Sequence, residues 1–318
     1  MKIVYMGTPD FSVGALEAII AAGHEVALVV TQPDKQKGRG KEVQYPPVKT
    51  CALKHGIEVF QPVKIKEADA VSKLRSYQAD VFVIAAFGQF LSQEILDMPR
   101  YGCINIHASL LPKYRGAAPI QWAIIDGETK SGVTIMQMAK GIDTGDMLLS
   151  RSVDITPEET GETLHDKLSA LGAELIVEAL VQVEAGTVVP VKQDDSLSCY
   201  ASRLEKTMGK IDFQKDAITI ERLIRGLNAW PSAYAQFHGK TLKIWKAKVV
   251  EQSEEVSKQP GTILEVGKDF FTVQTGNGSL AIMEVQLEGK KRMLVKDFLL
   301  GYPMTPGESL SFQADQDK

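Results

Sequence analysis

The sequence predicts two domains of different class: an N-terminal α/β domain on a mostly parallel sheet, then a smaller all-β barrel. Three observations carry this reading. The first half alternates short apolar runs with amphipathic stretches, the pattern of parallel strands joined by crossover helices. One of those runs, Ala79–Ala86 (ADVFVIAA), is continuously apolar from Val81 on, as suits a strand covered on both faces. After Gly186 the texture becomes polar and extended, then breaks into short alternating segments with Gly or Asn turns, which reads as a small closed barrel. With 318 residues, each domain can bury a core of its own. The expected boundaries are residues 1–189 for the first domain, 190–207 for a linker and 208–318 for the second.

The elements follow in order. Lys2–Met6 (KIVYM) is a first strand, Gly7-Thr8-Pro9 a tight turn, and Pro9 suits a helix start because its missing N–H needs no partner there. A helix over 10–22 ends at Gly23, and Glu25–Val30 is the second strand. Ala79–Ala86, Cys103–His107 and Gly132–Met138 are further strands. Thr156-Pro157-Glu158-Glu159 reads as a capping box opening a long helix with Leu164, Leu168, Leu171, Leu175 and Leu180 on one face. Residues 187–200 read as linker and Thr219–Asn228 as a helix. Then come the short strands YAQFHG, LKIWKAKVV, GTILEV, FFTVQT and LAIMEV, and a charged stretch ending in Val295–Leu299.

Composition excludes several classes. Hydrophobic residues make up 44% and charged residues 24%, an ordinary globular mixture. The net charge of -4 gives no global basic field, so any nucleic-acid contact has to come from a local patch. No apolar stretch is long enough to span a bilayer, the opening residues do not read as a signal peptide, and a cytoplasmic monomer is expected. Cys51, Cys103 and Cys199 are widely separated and form no CxxC pair, so neither a disulfide framework nor a metal site is expected. His24, His55, His165 and His238 lie at turns, at a helix end and on a charged helix, without metal-ligand spacing.

The turn after the first strand holds Gly7 where a dinucleotide fold wants three glycines, with Pro9 and Ser12 at the other two positions, which disfavours a nicotinamide cofactor. The strongest segment is Asn105-Ile106-His107-Ala108-Ser109-Leu110-Leu111-Pro112-Lys113-Tyr114-Arg115-Gly116. A period of two puts Asn105 and His107 on one face at a strand's carboxyl end, where open parallel sheets bind ligands. An amide and an imidazole there suit acyl-type transfer, one donating to an oxyanion and the other exchanging a proton. They equally suit a strand-end pair bonded to backbone. Asp143, in a glycine-flanked loop, is either a turn former or a carboxylate that supports the imidazole's charged form.

These residues carry a resemblance. NIHASLLPKYRGAAPIQWAI followed by GVTIMQMAKGIDTGDML resembles the signature of the folate-dependent formyltransferases, over essentially the whole chain. The resemblance implies a Rossmann-like catalytic domain with a C-terminal barrel of OB type. It implies Asn105, His107 and Asp143 as the catalytic set and 10-formyltetrahydrofolate as the formyl donor, with no metal. It places the folate against Phe87, Gly88, Gln89, Phe90 and Leu91, and against Ser109, Leu110, Leu111 and Pro112.

Within that family the chain looks most like the branch whose acceptor is methionine carried on initiator tRNA. Lys35, Lys37, Arg39 and Lys41 form a basic loop, which is either solvated surface or a site for tRNA phosphates and acceptor-stem bases. The resemblance places Arg39 in the acceptor stem. Around the domain junction Lys206 and Lys210, near Arg203, Arg222 and Arg225, could line a phosphate track or be ordinary surface charge. Met208 stands where the family usually has an acidic residue. No DNA or membrane partner is implied.

Overall fold

The computed structural model describes residues 1–37, 42–250 and 258–310. Contacts group the chain into two compact units. One comprises Met1–Pro119, Lys130–Asp154 and Leu164–Ala201; the other comprises Ile120–Thr129, Ile155–Thr163 and the chain from Ser202 onward. Residues 190–201 therefore group with the first unit. No helix among the described residues is long and apolar enough to cross a membrane.

The first half runs β1 (Lys2–Gly7), α1 (Val13–Ala21), β2 (Glu25–Val30), β3 (Lys35–Lys37), β4 (Glu42–Gln44), α2 (Pro47–Lys54), β5 (Val59–Phe60), α3 (Ala68–Ser76), β6 (Val81–Ala85), α4 (Gln93–Leu96), β7 (Cys103–His107) and β8 (Arg115–Gly116). It continues with α5 (Pro119–Ile125), β9 (Lys130–Gln137), β10 (Met147–Asp154), α6 (Gly161–Ala185) and β11 (Tyr200–Ala201). Seven strands form one sheet in the order β10-β9-β7-β6-β1-β2-β5. The β5-β2-β1-β6-β7 portion is parallel, and β9 and β10 add an antiparallel edge. The expected mostly parallel sheet is thus present, with the Gly132–Met138 segment as its first antiparallel strand.

Continuous apolar runs explain the parallel portion. Every residue of β6 and β7 is buried, as are Ile3–Gly7 of β1. One core layer joins Val4, Met6, Leu28, Phe82 and Ile84 to Ile65, Leu74 and Ile95. Leu164, Leu168, Leu171, Leu175 and Leu180 are all buried along α6. The cap of α6 lies four residues later than expected. Thr156–Glu159 closes only a turn, whereas Thr160 and Thr163 bond reciprocally, Thr163 N to Thr160 Oγ1 at 3.2 Å and Thr160 N to Thr163 Oγ1 at 2.9 Å. Two Thr-x-x pairs compete, and the one adjoining the apolar stripe caps the helix.

In the second unit α7 (Ala217–Gly226) precedes β12 (Ala233–Phe237), β13 (Lys240–Val250), β14 (Ile263–Val266), β15 (Phe271–Gln274), β16 (Ser279–Leu287), β17 (Met293–Leu294) and α8 (Val295–Gly301). The strands pair antiparallel in the order β12-β13-β16-β15-β14, with β17 also on β16. Register breaks at Ile244–Ala247 and Ile263–Glu265 bend the sheet. β12 and β14 are not paired to each other among the described residues, so the sheet is a partly open form of the expected closed barrel. Its core gathers Phe237, Leu242, Ile244, Phe271, Leu280, Ile282 and Phe298, closed by Ile220 and Ile224 of α7.

Candidate active site

His107 is the last residue of β7 and 5% exposed. The alternation of the strand turns Ile106 toward α6, where Gly172 makes room for it: a Cβ there would lie 2.9 Å from Ile106 Cγ2. Asn105 and His107 therefore share the opposite face. The two imidazole nitrogens have different surroundings. Nε2 lies 2.9 Å from the Tyr114 carbonyl oxygen, and Nδ1 lies 3.6 Å from Asp143 Oδ2. A carbonyl can only accept, so Nε2 carries the hydrogen given to Tyr114, and Nδ1 is the nitrogen turned to the carboxylate. At 3.6 Å the Asp143 contact is electrostatic rather than a hydrogen bond.

Asp143 is held from elsewhere. Its Oδ2 accepts from the Gly116 N–H at 2.9 Å. Gly116 belongs to β8, which pairs parallel with β11, and its φ of 115° and a would-be Cβ only 2.6 Å from the Ala201 oxygen require glycine. The Asp143 backbone sits at φ 51°, in the left-handed region that Asp tolerates better than most residues. The loop carrying it passes close over β9: a Cβ on Gly145 would collide with the Gln137 oxygen. Asn105 is 9% exposed, and its side-chain amide has no hydrogen-bond partner among the described residues. An amide donor not engaged by its neighbours, on the imidazole's face, is what an oxyanion site needs.

Other expected site residues fall into two kinds. In the loop after β6, Phe87 is buried, Gln89 bridges Ile65 N at 2.8 Å and the Pro62 oxygen at 3.1 Å, and Leu91 packs on the core. Ala86 and Gly88 adopt positive φ of 45° and 85°, while Phe90 is 79% exposed. The Phe87 oxygen accepts from Thr8 Oγ1 and from Gln32 Nε2, both at 3.1 Å, which ties this loop to the ends of β1 and β2. In the other block, Ser109 Oγ donates to Lys113 O at 2.7 Å, and Thr134 Oγ1 ties Ser109 O to Leu111 N, at 2.7 and 3.1 Å. Leu111 is buried, and Leu110 and Pro112 are half-buried.

Of the basic residues, Lys35 is exposed on β3 and Lys37 ends that strand, while Arg39 and Lys41 lie outside the described residues. The hairpin is anchored just before β3, where Asp34 accepts from Lys49 at 2.6 Å and from Gln61 at 2.7 Å. Those bonds hold the Asp34 carboxyl below its usual range. Lys206 and Lys210 are exposed in the second unit. The Met208 sulfur accepts the Glu205 N–H at 3.3 Å.

The sequence reading did not single out Gln193, which is 7% exposed, nor the contacts it makes with Arg115. Gln193 lies in the polar stretch expected to be linker, and nothing local distinguishes its amide from a solvated one. His55, expected to cap a helix, does so at the end of α2 and also meets Glu17 at 2.8 Å. Glu17, Cys51 and His55 converge within 4.8 Å there. Burial and the Glu17 hydrogen bond push the Cys51 thiol up to about 12, and the Cys51 and His55 bonds lower Glu17.

An amide donor, an imidazole and a carboxylate at the carboxyl end of a buried strand can stabilise an oxyanion and relay a proton. Comparison with known families decides which chemistry this is. The model of the formyl transferase family matches residues 1–180, and that of the formyl transferase C-terminal domain matches residues 203–303. The chain belongs to the formyl transferase family. Among curated members it is 58% identical to the methionyl-tRNA formyltransferase of Agathobacter rectalis, over 96% of this chain and 98% of that one. It is 50% identical to that of Geobacter metallireducens, over 96% and 97%. Solved structures share the fold at lower identity. The N-formyltransferase of Helicobacter canadensis with folinic acid and dTDP-3-aminofucose superposes with a TM-score of 0.66 at 21% identity, over 90% of this chain and 99% of that one. HypX of Aquifex aeolicus with tetrahydrofolic acid gives 0.63 at 18%, where this chain covers 94% of itself and 47% of HypX.

Proposed function

We infer that the chain transfers the formyl group of 10-formyltetrahydrofolate to the α-amino group of methionine esterified to initiator tRNA. The observation that carries this reading is the Asn105–His107–Asp143 arrangement in a chain 58% identical, nearly end to end, to a methionyl-tRNA formyltransferase. Attack of the amine on the formyl carbon puts negative charge on the formyl oxygen. Asn105, whose amide has no hydrogen-bond partner among the described residues, donates to that oxygen from the strand end. Release of the folate N10 requires that one proton move from the attacking amine to that nitrogen. His107 relays it through Nδ1, because Nε2 is committed to the Tyr114 carbonyl. Asp143 stabilises the imidazolium formed on the way, from 3.6 Å.

The backbone of residues 87–91 and the 109–112 turn form the folate side of the site. Lys35, Lys37, Arg39 and Lys41 meet the tRNA acceptor stem, and Lys206 and Lys210 its backbone, by charge rather than base readout. The enzyme works as a cytoplasmic monomer and takes no DNA. The test is transfer of labelled formyl from 10-formyltetrahydrofolate to methionyl initiator tRNA, with methionyl elongator tRNA and free methionine as competitors. Labelling confined to the initiator is the expected result. Folate turnover with label on a small amine instead would keep the chemistry and overturn the acceptor.

A further inference from the structure

Gln193 lies 50 residues beyond Asp143 in sequence, yet its side chain reaches both ends of the Asp143 turn. Nε2 donates to the Asp143 oxygen at 2.8 Å and to the Gly145 oxygen at 2.7 Å. Oε1 accepts from Arg115 Nε at 3.0 Å and Nη2 at 2.8 Å. This orientation of the amide is fixed by its partners, since a guanidinium only donates and two carbonyls only accept. Each polar atom of the buried amide is satisfied twice.

The positions of those partners give the contacts a consequence for catalysis. Arg115 immediately precedes Gly116, whose N–H holds the Asp143 carboxylate at 2.9 Å. One amide therefore ties the backbone of Asp143 to the strand that holds its side chain. Arg115 is fixed in turn by Asp195 at 2.7 Å and by the β8–β11 pairing, where its N–H meets the Cys199 oxygen at 2.9 Å. Asp143 sits at φ 51° and touches His107 through space at 3.6 Å, with no hydrogen bond to fix that distance. Its position depends on these supports.

We propose that Gln193 is a positioning residue for formyl transfer, setting Asp143 opposite His107 Nδ1. This rests on the proposed function for its kinetic readout and on His107 itself for its spectroscopic one. Gln193→Leu removes all four bonds at similar volume. Gln193→Glu keeps the Arg115 contact but turns a carboxylate toward two carbonyls. Both are expected to lower kcat by about tenfold to a hundredfold, with KM for the folate within about threefold. In the Asp143→Asn background, Gln193→Leu should add less than about threefold, because the two changes remove one function. In long-range proton–nitrogen spectra, the His107 Nδ1 signal should move in Gln193→Leu in the direction it moves in Asp143→Asn. If Gln193→Leu does not fold, Gln193→Asn, which keeps a shorter amide, carries both readouts.

Unchanged kcat, a loss additive with Asp143→Asn, or an unmoved His107 signal would overturn the proposal. Failure of the functional reading looks different. The wild-type protein would then formylate no methionyl-tRNA while its His107 signal still answered to Gln193.

Discussion

His107 cannot use its two nitrogens interchangeably: Nε2 is spent on Tyr114 O at 2.9 Å, and Nδ1 faces Asp143. His107→Ala is therefore expected to lower kcat by about a hundredfold to ten-thousandfold, and Asn105→Ala by about a hundredfold to a thousandfold. Folate affinity, measured by equilibrium fluorescence titration, should stay near wild type in both. The same neighbourhood contains Cys199, whose sulfur accepts the Tyr114 N–H at 3.1 Å, on the residue whose carbonyl holds the imidazole. Cys199 is exposed, whereas Cys51 and Cys103 are buried and their thiols are pushed up by burial. Native iodoacetamide labelling read by mass spectrometry should mark Cys199 alone and inactivate in step with labelling. Cys199→Ser should be active and resist the reagent.

At the scale of elements, the hairpin β3–β4 follows directly on an ion pair. Asp34 meets Lys49 at 2.6 Å, and Lys49 also lies 3.8 Å over the Tyr45 ring. Because these bonds depress the Asp34 carboxyl, its contribution is present above the ordinary carboxylate value and is lost as pH falls through the lowered one. Limited proteolysis should find the hairpin protected near neutrality and increasingly cut below about pH 4. Asp34→Asn should be cut faster already at pH 7. The long helix α6 depends instead on its apolar stripe. Leu168 is fully buried, and Leu168→Ala is expected to cost about 2–5 kcal/mol in denaturant unfolding, with little change in KM in the fraction that remains folded.

For the whole molecule the decisive quantity is charge distribution. The chain carries 36 basic and 40 acidic residues, so its net field repels a polyanion weakly. Attraction for tRNA has to come from a local basic patch, and the proposed one is the basic loop with Lys206 and Lys210. KM for methionyl-tRNA should therefore rise steeply between about 50 and 200 mM salt while KM for the folate changes little. Arg39→Ala should raise the tRNA KM and flatten that slope. A salt-independent tRNA KM would remove the basic loop from the interface.

Features that depend on local pattern were legible in the chain. The apolar run of β6 required a strand covered on both faces, the two-residue period put Asn105 and His107 together, and the leucine stripe of α6 marked its buried side. The proposed set was legible because Asn105 and His107 share one strand and Asp143 stands in a glycine-flanked loop after a later strand; the structure brings Asp143 to 3.6 Å from His107. Tertiary structure decided what depends on groups far apart in the chain. It selected Thr160 over Thr156 as the cap, left the second unit's sheet partly open, and brought Gln193 from an apparent linker onto the Asp143 turn. It also gave Nε2 to Tyr114, which leaves Nδ1 as the nitrogen facing Asp143. The physical reason is the range of the forces. Hydrophobic periodicity is written along the chain, whereas the partner of a buried amide or imidazole is set by backbone groups that meet only when the fold closes.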